Sequence, residues 1–287
     1  MMKDAYGSLS ICDNSTMIPK NYKAVSIEAA NKSDRTDALA PEAPLHITIN
    51  GESYITTMRT PDGFDEELAR GLLFTEGIVT NPDASIHAQT VNDPESELVA
   101  RLDLSLNADD LSKPVAGRRN QMATASCGIC GTRDPADLEL YGDPLVITND
   151  VRIRPGELCA MMAAMHDAQS LFLQTGGTHG ASAFTVDGTQ LVTHEDIGRH
   201  NAVDKVVGML LQTGNLSDVA VLTVSSRASY EIVTKAYRSA IPILAAVSAP
   251  SSMAVDTAHA FGITLVGFCR ENRLTVYSHP DRIEGAS

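Results

Sequence analysis

Much that would assign this chain a function at a glance is missing from it. Residues Met1 to about Ala40 carry Lys3, Asp4, Asp13, Lys20 and Lys23, with no apolar block of the length a secretory signal needs. No stretch reads as a transmembrane span. Basic residues are scarce, and the net charge of -14 disfavours nonspecific attraction to nucleic acid or to an anionic membrane. No disulfide framework is suggested, because the five cysteines are odd in number and Cys12, Cys159 and Cys269 stand alone. A cytoplasmic home is therefore expected. Neither a Walker-type Gly-x-x-x-x-Gly-Lys nor a Gly-x-Gly-x-x-Gly after a strand occurs, which argues against an ordinary nucleotide hydrolase or dehydrogenase. There is also no low-complexity tract and no evident internal repeat.

What is present is an ordinary globular composition, 43% hydrophobic and 20% charged over 287 residues, enough for two domains. Residues 1–40 show no apolar periodicity and are expected to be a mobile leader. From Pro44 the pattern becomes regular. Leu45 to Ile49 alternates, Asn50-Gly51 supplies a tight hairpin turn, and Ser53 to Met58 returns as a second strand. Phe64 to Phe74 is an amphipathic helix ending before Gly77, and Leu98 to Leu106 is a strand with one wet face. After Tyr141 to Pro144 the pattern changes. Glu157 to Phe172 reads as one helix stopped by Gly176-Gly177, and Ala183 to Thr193 as a hairpin. Helices over 200–211, 230–240 and 252–260 then alternate with strands over 219–224, 243–247 and 263–268, before a last strand over 274–277. Such alternation predicts parallel pairing with helices on the faces. The expected layout is a small α+β domain, 41–140, and a layered α/β domain, 141–287.

The most reactive feature is Ser126-Cys127-Gly128-Ile129-Cys130-Gly131, a Cys-x-x-Cys pair among small residues at the end of a polar loop. Arg118, Arg119 and Arg133 lie near in sequence and would favour thiolate. The pair fits a redox couple, half of a zinc site, or a sulfur carrier. Zinc is weakened by the lack of a second pair, since a structural site usually needs four ligands. A thioredoxin-like role is weakened because no core strand leads directly into a helix there. His194-Glu195 invites comparison with zinc deaminases, but the spacing is wrong and the histidine follows the cysteines. His46, His87, His166 and His259 read as packed or surface histidines.

Ligands of open α/β sheets bind beyond the carboxyl ends of the strands, beside free backbone N–H groups at helix starts. Four connections of the second domain carry residues suited to an anion: Thr175 to His179, Glu195 to Asn201, Ser225 to Arg227, and Ser248 to Ser252. His179, Arg199 and Arg227 are the side chains expected to hold phosphate oxygens. Turn-forming and helix-capping roles account for any one of these loops alone.

Met58-Arg59-Thr60-Pro61, the Ser-Cys-Gly-Ile-Cys-Gly stretch, Glu195 to Lys205, Ser225-Ser226-Arg227 and Ala246 to Ser252 resemble the motifs of the FdhD/NarQ family over about residues 41 to 283. The resemblance implies a cytidine-deaminase-like α/β domain plus a smaller domain, acting as a homodimer. It implies a sulfur carrier that takes persulfide sulfur from a cysteine desulfurase. The sulfur would pass to the molybdenum of the bis(molybdopterin guanine dinucleotide) cofactor for the formate dehydrogenase catalytic subunit. It points to Cys127 as the persulfide site with Cys130 assisting. It also points to Phe268, Cys269, Arg270, Glu271, Asn272 and Arg273 as a guanine nucleotide site, with free guanine nucleotide as a mimic of the cofactor. No resident metal is implied. Two other classes stay open, a noncatalytic chaperone for the molybdenum cofactor and a zinc-stabilised structural protein.

Overall fold

The computed structural model describes residues 19–29, 31–112, 122–123, 140–146 and 151–286. The first described element is a hairpin of β1, Lys20–Glu28, and β2, Asn31–Leu39, paired antiparallel with Ala29 at φ 56° where the chain turns. Both strands lie within the stretch, residues 1–40, expected to be a leader without regular structure. Periodicity fails there because β2, Asn-Lys-Ser-Asp-Arg-Thr-Asp-Ala-Leu, carries almost no apolar residues, and a strand exposed on both faces has nothing to alternate against.

The first sheet has five strands in the order β5-β6-β3-β4-β7: β3 Ala43–Ile49, β4 Glu52–Arg59, β5 His87–Asn92, β6 Val99–Ser105 and β7 Met122–Ala123. Asn50 and Gly51 sit at φ 50° and 82°, as the hairpin turn between β3 and β4 requires. One face is covered by α1, Asp65–Thr75, whose Leu68, Ala69 and Leu73 join Leu45, Ile47, Ile49, Leu102 and Leu104 in a closed apolar cluster. Gly77, at φ 67°, lies just past the helix end.

The second sheet has six strands in the order β13-β12-β11-β10-β8-β9. They are β8 His179–Phe184, β9 Gln190–Asp196, β10 Val221–Val224, β11 Ile243–Ala246, β12 Thr264–Arg270 and β13 Arg273–Val276. Strands β10, β11 and β12, joined through helices, are parallel; the tightly linked β8–β9 and β12–β13 pairs are antiparallel. The expected parallel pairing thus holds for part of the sheet, which is mixed. Helices α4 Arg199–Thr213, α5 Tyr230–Arg238 and α6 Ser252–Ala260 cover one face through Val203, Val207, Ile232, Val233 and Ala258. Helix α2, Pro155–Asp167, covers the other through Leu158, Met161, Met162 and Met165.

The single helix expected over Glu157 to Phe172 is two. Helix α2 stops at Asp167, and α3, Ser170–Thr175, begins anew and ends on Gly176 at φ 65°. The break has a distant cause. The carboxylate of Glu195 accepts the N–H groups of Leu171 at 2.8 Å and Phe172 at 2.7 Å, serving the fresh N-terminus of α3.

The two sheets are joined by α1 against α4. A Cβ at Gly71 would stand 1.8 Å from the carbonyl oxygen of Asp204, and one at Gly208 1.8 Å from that of Glu67, so the two backbones touch. No helix among the described residues is long and apolar enough to cross a membrane.

Candidate functional site

The sheet order gathers the loops singled out in the sequence along one edge. Strands β10, β11 and β12 end there, β8 begins there at His179, and β9 ends there at Asp196. Backbone hydrogen bonds lace the loops together: Ser225 N–H to Gly180 O at 2.9 Å, Ser251 N–H to Ala228 O at 3.0 Å, and Phe268 N–H to Ser248 O at 3.1 Å. Arg227, Arg270, Glu271, Asn272 and Arg273 are exposed along this edge, and Arg199 and His179 are half-buried. From β12 to β8 is three strand spacings, about 14 Å.

At the β12 end, Phe268 and Glu271 take φ values of 52° and 55° around a register shift between Gly267 and Arg270. A bulky residue rarely adopts such a φ. The Arg273 guanidinium lies 5.9 Å from the Phe268 ring centroid, within cation–π range. Gly267 admits no side chain, since a Cβ there would meet Pro250 at 2.8 Å and Tyr277 at 3.0 Å. Cys269 departs from the expected site. Its side chain is buried in the α2-side core with Cys159, where burial and the neighbouring thiol push it up to about 12. Strand alternation turns position 269 inward, so its thiol is withdrawn from any ligand at the edge.

The Glu195 to Lys205 segment is largely spent inward. Asp196 accepts from Thr60 N–H at 3.0 Å, Gly198 N–H at 2.8 Å, Asn201 Nδ2 at 3.0 Å and Lys205 Nζ at 2.8 Å. Asn201 Nδ2 also donates to Met58 O at 2.8 Å, and Lys205 Nζ to Asp62 at 2.7 Å. Burial opposes the charge on Lys205, but Asp196 and Asp62 outweigh it and hold its pKa above the usual lysine value. One turn on, Asp204 accepts from Lys235 Nζ at 2.8 Å and Thr75 Oγ1 at 2.6 Å, while Lys235 also reaches Glu76 at 3.2 Å. Burial pushes Asp204 up to about 6 against the pull of Lys235. These residues fasten the two sheets together, a role hidden in sequence because Thr60 and Asp62 lie more than 130 residues from their partners.

Two histidines remain at the edge. His179 is held below the usual histidine value by burial and then by Arg199. His200, in the first turn of α4, is lowered to about 3 by burial, Lys235, Arg199 and His179, and its Nε2 has no hydrogen-bond partner. Its nearest acid is Glu231 in the first turn of α5, with Oε2 at 4.0 Å. The sequence reading includes His200 only as part of the Glu195 to Asn201 connection and does not include Glu231. The available signal was a histidine and an acid each opening a helix that follows a sheet-edge loop.

Cys127, Cys130, Arg118, Arg119 and Arg133 lie outside the described residues. The chain passes through β7 four residues before Cys127. Met122 and Ala123 pair in parallel with Thr56 and Thr57 of β4, whose strand runs on to Met58, the carbonyl partner of Asn201. Among the described residues, no group of three or more His, Cys, Asp or Glu could hold a metal ion.

The FdhD/NarQ family model matches residues 40–284. The chain is 40% identical over 267 residues to the sulfur carrier protein FdhD of Nocardia farcinica, covering 92% of this chain and 95% of the relative. It is likewise 40% identical over 266 residues to the sulfur carrier protein FdhD of Thermoplasma acidophilum, covering 87% and 88%. A crystal structure described as that of a candidate formate dehydrogenase accessory protein from Desulfotalea psychrophila superposes with a TM-score of 0.72 at 25% identity. That likeness covers 93% of this chain and 99% of the other.

Proposed function

The chain belongs to the FdhD/NarQ family, and from that premise we propose that it is a sulfur carrier serving formate dehydrogenase. It accepts persulfide sulfur from a cysteine desulfurase and passes it to the molybdenum of the bis(molybdopterin guanine dinucleotide) cofactor, its bound substrate, before the cofactor enters the dehydrogenase catalytic subunit. The names borne by its relatives, sulfur carrier protein FdhD and a candidate formate dehydrogenase accessory protein, support this reading.

The observation that carries it is the single sheet edge to which β8, β9, β10, β11 and β12 bring their polar loops. In a chain of net charge -14, Arg199, Arg227, Arg270 and Arg273 all belong to this edge. A long, multiply anionic ligand is what such a row suits. In this reading the guanine nucleotide lies at Phe268 to Arg273, through the Phe268 ring, the main chain and the exposed polar residues. The remainder of the cofactor extends toward His179, Arg199 and Arg227. We also place the six-stranded unit with the cytidine-deaminase-like α/β folds, treat 41–140 and 141–287 as its two domains, and take the working form to be a homodimer. The free thiols of Cys159 and Cys269 suit a reducing cytoplasm.

For the chemistry, the Cys127 thiolate attacks the outer sulfur of the donor persulfide. The donor S–S bond breaks, the donor leaves as thiolate, and Cys127 holds the persulfide with no net redox change. Cys130 thiolate then attacks the inner sulfur. The outer sulfur departs as hydrosulfide to the metal, and the resulting Cys127–Cys130 disulfide is returned to thiols by a cellular dithiol. Incubation with desulfurase and labelled cysteine tests the first step. Cys127→Ala is expected to take up no label and to leave formate dehydrogenase inactive; uptake and activity at the level of the unaltered protein would overturn the assignment.

A further inference from the structure

The segment where β9 meets α4 is dense with hydrogen bonds, and two buried ring nitrogens in it are left out, Nε2 of His194, whose ring packs edge-on against Phe64 at 4.4 Å, and Nε2 of His200. Asp196, Asn201, Asp204, Lys205 and Lys235 all find partners there. His200 lies among them with its side chain only 9% exposed, and its Nε2 bonds to nothing. A buried polar atom without a partner asks for an explanation, and His200 differs from His194 in having an acid, Glu231, close to its free nitrogen. The Glu231 carboxylate, at 4.0 Å, is too far to be that partner.

We propose that His200 and Glu231 read the lactam edge of a heterocycle, the adjacent carbonyl and ring N–H that guanine and pterin share. This rests on the reading that the sheet edge receives the nucleotide-bearing cofactor, and it assigns that ligand a second point of recognition, away from Phe268 to Arg273.

The chemistry follows from the protonation states. Burial and the surrounding cations keep the His200 ring neutral, so one ring nitrogen carries a proton and the other does not. The facing carboxylate favours the tautomer with that proton on Nε2. The pair then presents one donor and one acceptor side by side, the complement of a lactam: carbonyl oxygen toward His200, ring N–H toward Glu231. A phosphate fits this spot poorly, because the Glu231 carboxylate repels it, and a metal cation finds no lone pair on a protonated Nε2. Glu231 keeps 16% of its side chain exposed and is the open side of the pair. Arg227 is exposed in the loop just before α5.

The test uses the full-length protein and two pairs of probes, pterin with 3-methylpterin and GDP with its 1-methylguanine analogue. Methylation removes the lactam N–H in each. Fluorescence titration of the pterins and calorimetry of the nucleotides are expected to show, in at least one pair, about tenfold weaker binding of the methylated form. Glu231→Gln and His200→Asn should abolish that discrimination. Discrimination confined to the pterins identifies pterin as the ligand, and discrimination confined to the nucleotides identifies guanine. The proposal is overturned if methylated and unmethylated probes behave alike in both pairs, if neither pair binds, or if the variants discriminate as the unaltered protein does. Absence of any methylation contrast overturns the proposal without a substitution, and a contrast is assigned to this pair, not to the Phe268 to Arg273 turn, by its loss in the variants, each first shown to be folded by circular dichroism. Label uptake at Cys127 is measured separately, and its absence would sink the sulfur-carrier reading while leaving the methylation contrast standing.

Discussion

Gly208→Ala should be strongly destabilising, although on helix propensity alone it should help. Alanine is favoured over glycine inside a helix by about 1 kcal/mol, and Gly208 lies well within α4. The added methyl group would nevertheless fall 1.8 Å from the Glu67 carbonyl oxygen. Backbone cannot swing aside as a side chain can, so α1 and α4 would have to part by about 1.5 Å to restore ordinary contact. A gap of that size forfeits more than half of the dispersion attraction across the closest part of the interface. It also pulls Asp204 from Thr75 and Lys235 from Glu76, which bond across the same contact. Overpacking of this kind costs roughly 1–3 kcal/mol, and straining a buried ion pair adds to it. The net loss should be about 3 kcal/mol, seen in urea unfolding and as a fall of about 6–10 °C in Tm. Gly71→Ala should behave alike, and the double variant should lose less than the sum, because helices already parted accept the second methyl. An unchanged or raised stability of Gly208→Ala would refute the backbone contact.

Three further outcomes follow. Asp204 has a folded-state pKa raised above its unfolded value, to about 6, so between roughly pH 4 and 6 the folded state holds the extra proton. Its contribution is therefore fully present at acid pH and falls as pH rises through 6. Denaturation curves of the unaltered protein and Asp204→Asn should diverge over that window, and parallel curves would remove Asp204 as the cause. Arg227→Ala should weaken GDP binding by about tenfold in calorimetry, the scale of one lost charged hydrogen bond; equal affinity would take Arg227 out of the ligand's path. Ser251 Oγ accepts the Ala254 N–H at 3.2 Å as the N-cap of α6, so Ser251→Ala should cost about 1 kcal/mol in urea unfolding. Loss of less than a few tenths would show the cap to be idle.

The elements legible in the sequence were those whose cause is local. Asn50-Gly51 announced its hairpin, the spacing of Leu68, Leu72 and Leu73 announced α1, and the alternation of apolar runs with helical periods after residue 215 gave β10 to β13 in order. What escaped had causes far away in the chain. The split between α2 and α3 depends on Glu195, and the burial of Lys205 on Thr60 and Asp62. The connection Glu195 to Asn201 reads in sequence as suited to an anion because its acids and amide face partners that only the fold supplies. Gly71 and Gly208 did leave a trace, a lone glycine inside each helical pattern, which marks a close approach. For the candidate site, Arg199, Arg227, His179 and the Phe268 to Arg273 turn do share one edge. Cys269 is the exception, and the reason is the two-residue period of β12.

The touching backbones of α1 and α4 also bear on how such a protein can change. Each sheet keeps its own apolar cluster, so the chain invites dissection near residue 140. A fragment beginning there would nonetheless carry Lys205 without Asp62, Lys235 without Glu76, and a bared ridge at Gly208 shaped for a helix that is gone. Substitutions on α1 and α4 are constrained as a matched pair, which ties the angle between the sheets to two glycines, while the loops along the open edge lie outside that constraint.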